Sequence, residues 1–231
     1  TLTIETGSTL GSTTMTVPSN IIKNTMNLGN EESSTIVTIA DYYTISYKDV
    51  GNTDFSGTHE DEYATNYLNG DIVTLDICAC YKGYHGDSAW TYPVGNVKES
   101  TLELLKVTEE ALYKGLEMAK PGNRVGDISN AIQTYVEAHG YSTPIEYTGH
   151  GVGKKVHEDP YVPNVGKPHT LELLKPGMCI AIEPMVFEGK PHCVTLDDGW
   201  AVVNKERSMS AHYEHTIAIT SDGYKILTKE D

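Results

Sequence analysis

The chain has 231 residues, of which 39% are hydrophobic and 21% charged, and its formal net charge is -15. That length allows one large domain or two small ones with a substantial core. The charge leaves no basic stripe to meet nucleic-acid phosphates and discourages adhesion to anionic membranes, and no run approaches the roughly 20 apolar residues that span a bilayer.

Residues 1–68 are rich in Ser, Thr and Asn and only weakly periodic; within them "STIVTIADYYTISYKDV" alternates β-branched and aromatic residues and reads as strand. The first twenty residues have neither a basic start nor a continuous apolar block, so no secretory signal is expected. Asn69-Gly70 is a turn signal, and "DIVTLDICACYKGYHGDSAWTYPVG" after it predicts two strands joined near Lys82-Gly83. "KESTLELLKVTEEALYKGLEMAK" carries Leu102, Leu105, Leu112 and Leu116 at helical spacing and stops at Pro121-Gly122. "RVGDISNAIQTYVEAHG" repeats the rhythm with Val125, Ile128, Ile132, Tyr135 and Val136, and Gly140 closes it. "MCIAIEPMVF", "HYEHTIAIT" and "YKILT" read as further strands. The four cysteines, Cys78, Cys80, Cys179 and Cys193, show no zinc-type spacing, which fits a reduced, cytoplasmic compartment. The whole reads as one α+β domain over residues 1–231, with a motif-bearing part from residue 69 onward.

Between the second helix and the later strands lies "TGHGVGKKVHEDP", where His150 stands between Gly149 and Gly151. Glycines there would permit positive φ or the close approach of a ligand; a flexible loop with a solvated histidine is the ordinary alternative. Four acids sit inside or beside apolar strands: Asp76, Asp87, Glu183 and Glu214. An unpaired ionised carboxylate is costly in such settings, and no Lys or Arg lies within these apolar runs. Singly, each would be a structural hydrogen-bonder. Together with His150 they form a plausible set for a pair of hard or borderline divalent ions such as Mn, Fe, Co or Zn.

The segments "NGDIVTLDI", "YHGDSAWTYPVG", "TGHGVGKKVHEDPYVPN", "KPGMCIAIEPMV" and "AHYEHTIAIT", taken in order, resemble the type I methionine aminopeptidases. The intervals of 11, 63, 33 and 31 residues separating Asp76, Asp87, His150, Glu183 and Glu214 agree with that family's pattern. The resemblance covers residues 69–231. It implies the α+β pita-bread fold, a curved antiparallel sheet flanked by helices with pseudo-twofold halves. It implies two divalent metal ions, Asp76 chelating one, Asp87 and Glu214 bridging both, and His150 and Glu183 binding the other. A hydroxide held between the ions would attack the first peptide bond and release the N-terminal methionine of nascent proteins, with Glu183 moving the proton. His157 would hydrogen-bond substrate and help stabilise the tetrahedral intermediate. Trp200 would line the pocket for the methionine side chain, where Val156 replaces a position often aromatic. His212, two before Glu214, stands where the family often has Gln. The family expectation is a cytoplasmic monomer, with the ribosome as a possible partner.

The first third departs from that pattern. Aligning "TISYKDVGNTDFSG" with the family's substrate-contacting histidine segment puts Thr53 at the histidine position, and His59 is the substitute if the loop shifts. Two competing readings remain: a prolidase or aminopeptidase P of the same fold, and a non-catalytic pita-bread protein that binds a partner.

Overall fold

The computed structural model describes residues 70–229 and, before them, the backbone of five short strands: β1 (Leu2–Glu5), β2 (Thr14–Val17), β3 (Ile36–Thr38), β4 (Tyr43–Ile45) and β5 (Thr65–Tyr67). Part of the strand expected in "STIVTIADYYTISYKDV" is thus present as β3 and β4. Thr53 and His59 lie outside the described residues.

The hairpin expected at Lys82-Gly83 is β6 (Ile72–Tyr81) with β7 (Tyr84–Pro93), ten residues each and paired from Ile72↔Pro93 to Tyr81↔Tyr84. The two-residue turn takes φ of +50° at Lys82 and +79° at Gly83, the left-handed pair that lets a tight turn follow the twist of the strands. Val73, Leu75 and Ala79 point into the core. The other face carries Asp76 and Cys78, and because Cys78 pairs with Asp87 and Asp76 with Ala89, both acids share that face on a diagonal.

Two helices follow, α1 (Glu99–Glu117) and α2 (Val125–Ala138). The expected rhythm holds with one correction. Leu102 is an exposed residue, and the buried stripe of α1 runs through Leu104, Leu105, Ala111, Leu112 and Leu116. One residue shifts the angle by about 100° on a helix, so Leu102 falls on the solvent side of the stripe. The two helices touch at Gly115, where an added Cβ would lie 2.9 Å from Ile132 Cδ1. Gly140, φ +79°, ends α2 as expected.

The helices cover one face of a five-stranded sheet ordered β16-β15-β10-β8-β9, namely β8 (Thr148–Gly151), β9 (Glu158–Pro163), β10 (Cys179–Ile182), β15 (His215–Ile219) and β16 (Tyr224–Ile226). All its pairings are antiparallel. Ile180, Ile182, Ile217 and Ile219 are fully or almost fully buried with Leu104, Leu112, Leu116, Ile128 and Ile132, each such side chain contributing about 1.5–3 kcal/mol relative to exposure. Strand alternation then turns Ala181 and Thr216 to the opposite face. That face holds the site.

Two sequence runs expected as single strands are each broken. "MCIAIEPMVF" divides into β10 and β11 (Met185–Phe187) at Glu183-Pro184, and "HYEHTIAIT" divides into β14 (Ser210–His212) and β15 at Tyr213-Glu214. A further hairpin, β12 (Cys193–Thr195) with β13 (Val202–Asn204), stands at the edge. Among the described residues no helix is long and apolar enough to cross a membrane, and all four cysteines are free.

Candidate metal centre

Both strand breaks occur at an acid, and they face one another. Ile182 pairs with His215 on one side of the break and Met185 with His212 on the other. The same register carried across the gap sets Glu183 opposite Glu214 and Pro184 opposite Tyr213, whose N–H reaches the Pro184 carbonyl at 3.3 Å. Pro184 has no N–H to continue the ladder, which accounts for the interruption. Like charges directly opposite on an antiparallel pair repel, so this placement needs a proton or a cation between them.

His150 enters from the neighbouring strand. It pairs with Ala181, so it sits diagonally beside Glu183 on the same face. The glycines around it serve close approach, not positive φ. A Cβ on Gly149 would lie 2.4 Å from the Ala181 carbonyl oxygen, and one on Gly151 would lie 2.2 Å from that of Asp159. The sheet closes around His150 only because those side chains are missing.

The hairpin β6–β7 is stitched to this face through hydroxyls. Asp87 N–H donates to Thr216 Oγ1 at 2.9 Å, and the Thr216 hydroxyl donates back to the Asp87 carbonyl at 2.8 Å. Ser88 Oγ donates to the Glu214 carbonyl at 3.1 Å, and Glu214 N–H to the Ala89 carbonyl at 2.8 Å. At the far end His85 N–H donates to the Gly153 carbonyl at 2.8 Å. These contacts bring Asp87 into the sheet's inner face. Sequence reading missed Thr216 and Ser88; strand alternation from Glu214 would have placed Thr216 beside it.

Asp87, His150 and Glu214 each offer a ligand atom within 4.8 Å of the others, and all three are buried. Glu183 Oε1 lies 3.3 Å from His150 Nε2, and Asp87 Oδ2 lies 3.8 Å from it. His150 Nδ1 is 2.9 Å from the Gly151 carbonyl oxygen, which can only accept. Nδ1 therefore carries a proton, and Nε2 is the ring atom turned toward the carboxylates. Carboxylate oxygens face carboxylate oxygens. Asp87 Oδ1, Glu183 Oε1 and Glu214 Oε1 are buried without a hydrogen-bond partner, although native proteins satisfy nearly all such atoms. A divalent cation accepted by oxygens and one imidazole resolves every one of these conflicts.

Asp76 stands at the rim with 57% of its side chain exposed, 4.0 Å from His212 Nδ1, outside the tight group of three. Electrostatics follow the crowding. Burial, then the charges of Asp87 and Asp76, pushes Glu183 up to about 9. Glu214 is raised by burial, then by Glu183, Asp87 and Asp76. Burial raises Asp87 against the opposing pull of His150. The low-dielectric wall behind Asp76, with Asp87 adding to it and His157 opposing, brings that acid up to about 6. Cys78, between the two aspartates, is pushed up to about 12 by burial and then by Asp87, Glu214 and Asp76; as a neutral thiol it adds no charge to the cluster.

His157 is exposed, with its ring edge-on to that of His150 at 4.3 Å between centroids. It lines an open cavity of about 430 Å³ with Lys155, Glu158, Asp159 and Tyr161. Trp200 lies apart from these groups. It is 88% exposed, at a turn where Asp198 Oδ1 accepts the N–H groups of Trp200 and Ala201 and Gly199 takes φ +70°. Among the described residues nothing encloses it as a pocket wall.

The profile of metallopeptidase family M24 matches residues 28–221. The chain is 56% identical over 161 residues to methionine aminopeptidase 1 of Bacillus subtilis, an alignment that covers 70% of this chain and 65% of that relative. It therefore spans just under two thirds of the curated protein it matches. A methionine aminopeptidase structure from Thermotoga maritima superposes with TM-score 0.70 at 50% identity, covering 71% of this chain and 66% of that one. A Pyrococcus horikoshii prolidase superposes with TM-score 0.58 at 30% identity, covering 74% of this chain and 43% of that one. The α+β pita-bread architecture implied by the sequence is the fold of these neighbours. With its acids and His150 gathered on the inner face of that sheet, the chain belongs to metallopeptidase family M24.

Proposed function

We propose that the chain is a metal-dependent aminopeptidase that removes N-terminal methionine from nascent polypeptides. The observation that carries this reading is the facing pair Glu183–Glu214 with His150 Nε2 turned toward it, a buried cluster of three acids whose Asp87 Oδ1, Glu183 Oε1 and Glu214 Oε1 have no hydrogen-bond partner. Asp87 and Glu214 would bridge two divalent ions, Asp76 would hold one of them, and His150 and Glu183 the other. Such ions, Co, Mn, Fe or Zn by donor chemistry, lower the pKa of a bound water and polarise a carbonyl. The protein's own groups do the rest. Glu183, held at the strand break, accepts the proton of the attacking water and returns it to the leaving amine. His157, exposed beside His150, donates a hydrogen bond to the substrate carbonyl as it becomes an oxyanion.

The higher identity to methionine aminopeptidases supports this activity over a prolidase. The free cysteines fit a reducing cytoplasm, and the acidic net charge fits a protein that binds peptide rather than nucleic acid. Monomeric state and docking near the ribosome are part of the same proposal.

The test is hydrolysis of Met-Ala-Ser, Leu-Ala-Ser and Ala-Pro-Ser by metal-stripped chain resupplied with Mn or Co. Release of Met alone, abolished in Asp87→Asn and Glu214→Gln, is expected. Cleavage of Ala-Pro-Ser instead would assign the prolidase activity. Metal binding without any release would favour the partner-binding protein.

A further inference from the structure

His212 is the polar group at this face that the proposed chemistry leaves unused. Its main chain is fixed on both sides. Its N–H donates to Thr91 Oγ1 at 2.9 Å, the Thr91 hydroxyl lies 2.7 Å from its carbonyl oxygen, and the same hydroxyl lies 2.9 Å from Thr74 Oγ1. Two residues before Glu214, and paired with Met185, it projects onto the face of the acids.

The ring lies between two of them. Nε2 is 3.7 Å from Glu183 Oε2, and Nδ1 is 4.0 Å from Asp76 Oδ2. Neither separation is a hydrogen bond. The side chain is nevertheless only 16% exposed, and Nε2 is buried without a partner. An unsatisfied buried nitrogen costs about 1–3 kcal/mol, and among the described residues the groups its ring faces in an ion-pair geometry are these two carboxylates. The ion-pair contact found for Asp76 among the described residues is with His212, and Asp76 is the most exposed of the four acids.

We infer that His212 is a positioning residue whose ring stands between Asp76 and Glu183 and whose single N–H supplies the outer hydrogen bond that orients one of these carboxylates when it holds a divalent ion. The inference rests on the metal-centre reading above. A carboxylate that gives one oxygen to a cation keeps the other for an outer hydrogen bond, and loss of such outer partners lowers metal affinity by about 10–100-fold.

The experiment titrates Mn into metal-stripped wild type, His212→Leu and His212→Gln by calorimetry, with the visible spectrum of the Co-loaded forms recorded in parallel. Leucine keeps the volume and removes both nitrogens; glutamine restores a donor. The expected result is Mn affinity about 10–100-fold weaker in His212→Leu, an altered Co spectrum, and recovery of both in His212→Gln. Wild-type affinity and spectrum in His212→Leu would overturn the positioning role while leaving the centre intact. Equal losses in His212→Leu and His212→Gln would overturn it too, since packing alone would then explain the effect. A wild type that binds no Mn would sink the centre itself, and the inference with it. Thermal melts of the metal-free variants establish that each is folded.

Discussion

The inner face and the outer rim of this site are built by different means. On the inner face Glu183, Glu214 and His150 are positioned by strand register, with backbone bonds and the Thr216 and Ser88 hydroxyls leaving them little freedom. At the rim Asp76, His157 and Trp200 are exposed and held by a hairpin, a loop and a turn. The charge-holding part of the chemistry is therefore written into sheet geometry, which changes only if strands move. Under the proposed activity, selectivity toward a peptide would fall to groups that solvent reaches.

The largest expected effect breaks the inner face by steric means alone. Gly149→Ala would push a methyl to 2.4 Å from the Ala181 carbonyl oxygen, so β8 and β10 must part where His150 is held. Overpacking of this kind costs about 1–3 kcal/mol, or several degrees in Tm for a chain of this size. Gly223→Ala is the control, with open space around it and no positive φ, and is expected within about 0.5 kcal/mol of the parent. Equal melting of the two variants would mean the strands are not held by that approach.

A smaller effect comes from charge. Glu183, raised to about 9, and Glu214, also raised, bind protons in the folded chain that the unfolded chain has released above about 4.3. Where the folded state holds more protons, stability falls as pH rises. His212 and His215, lowered by burial to about 4, act in the opposite sense, but only below the ordinary histidine range. Between pH 6.5 and about 8, below the ordinary range of the buried thiols, the acids dominate, so the Tm of metal-free protein should decline by a few degrees and the decline should vanish with saturating Mn. A flat or rising profile without metal would show that the acids are not crowded as the register requires.

The sequence made the hairpin legible because Lys82-Gly83 is a two-residue turn between alternating strands, and the helices legible because their apolar rhythm and stops agree. The acids were legible as residues out of place in apolar runs. Their face-to-face arrangement was not, because it depends on the pairing of β10 with β15 and β11 with β14, partners about thirty residues apart whose common register no local pattern reveals. The glycines beside His150 looked like freedom of φ; their reason is a neighbouring carbonyl, also a long-range fact. Leu102 was misread because one apolar residue next to a stripe looks like part of it. Nothing in "DDGWAV" announces how exposed its tryptophan is.

That tryptophan supplies the smallest effect and the sharpest test of the rim. Trp200 is 88% exposed, so Trp200→Ala removes little buried area and should leave Tm within the range of ordinary surface changes, about 0.5 kcal/mol. Metal affinity should be unchanged, since none of the candidate ligands belongs to the turn at Asp198–Ala201. KM for Met-Ala-Ser then carries the information. A wall that fully encloses a thioether would raise KM by more than tenfold when removed, because burying a Met side chain is worth about 1.5–3 kcal/mol. An exposed ring offers a fraction of that contact, so the expected rise is about threefold or less with kcat preserved. A tenfold rise would mean that substrate itself completes the pocket by lying against Trp200, and the division between a rigid inner face and a selective rim would then be stronger than the free structure displays.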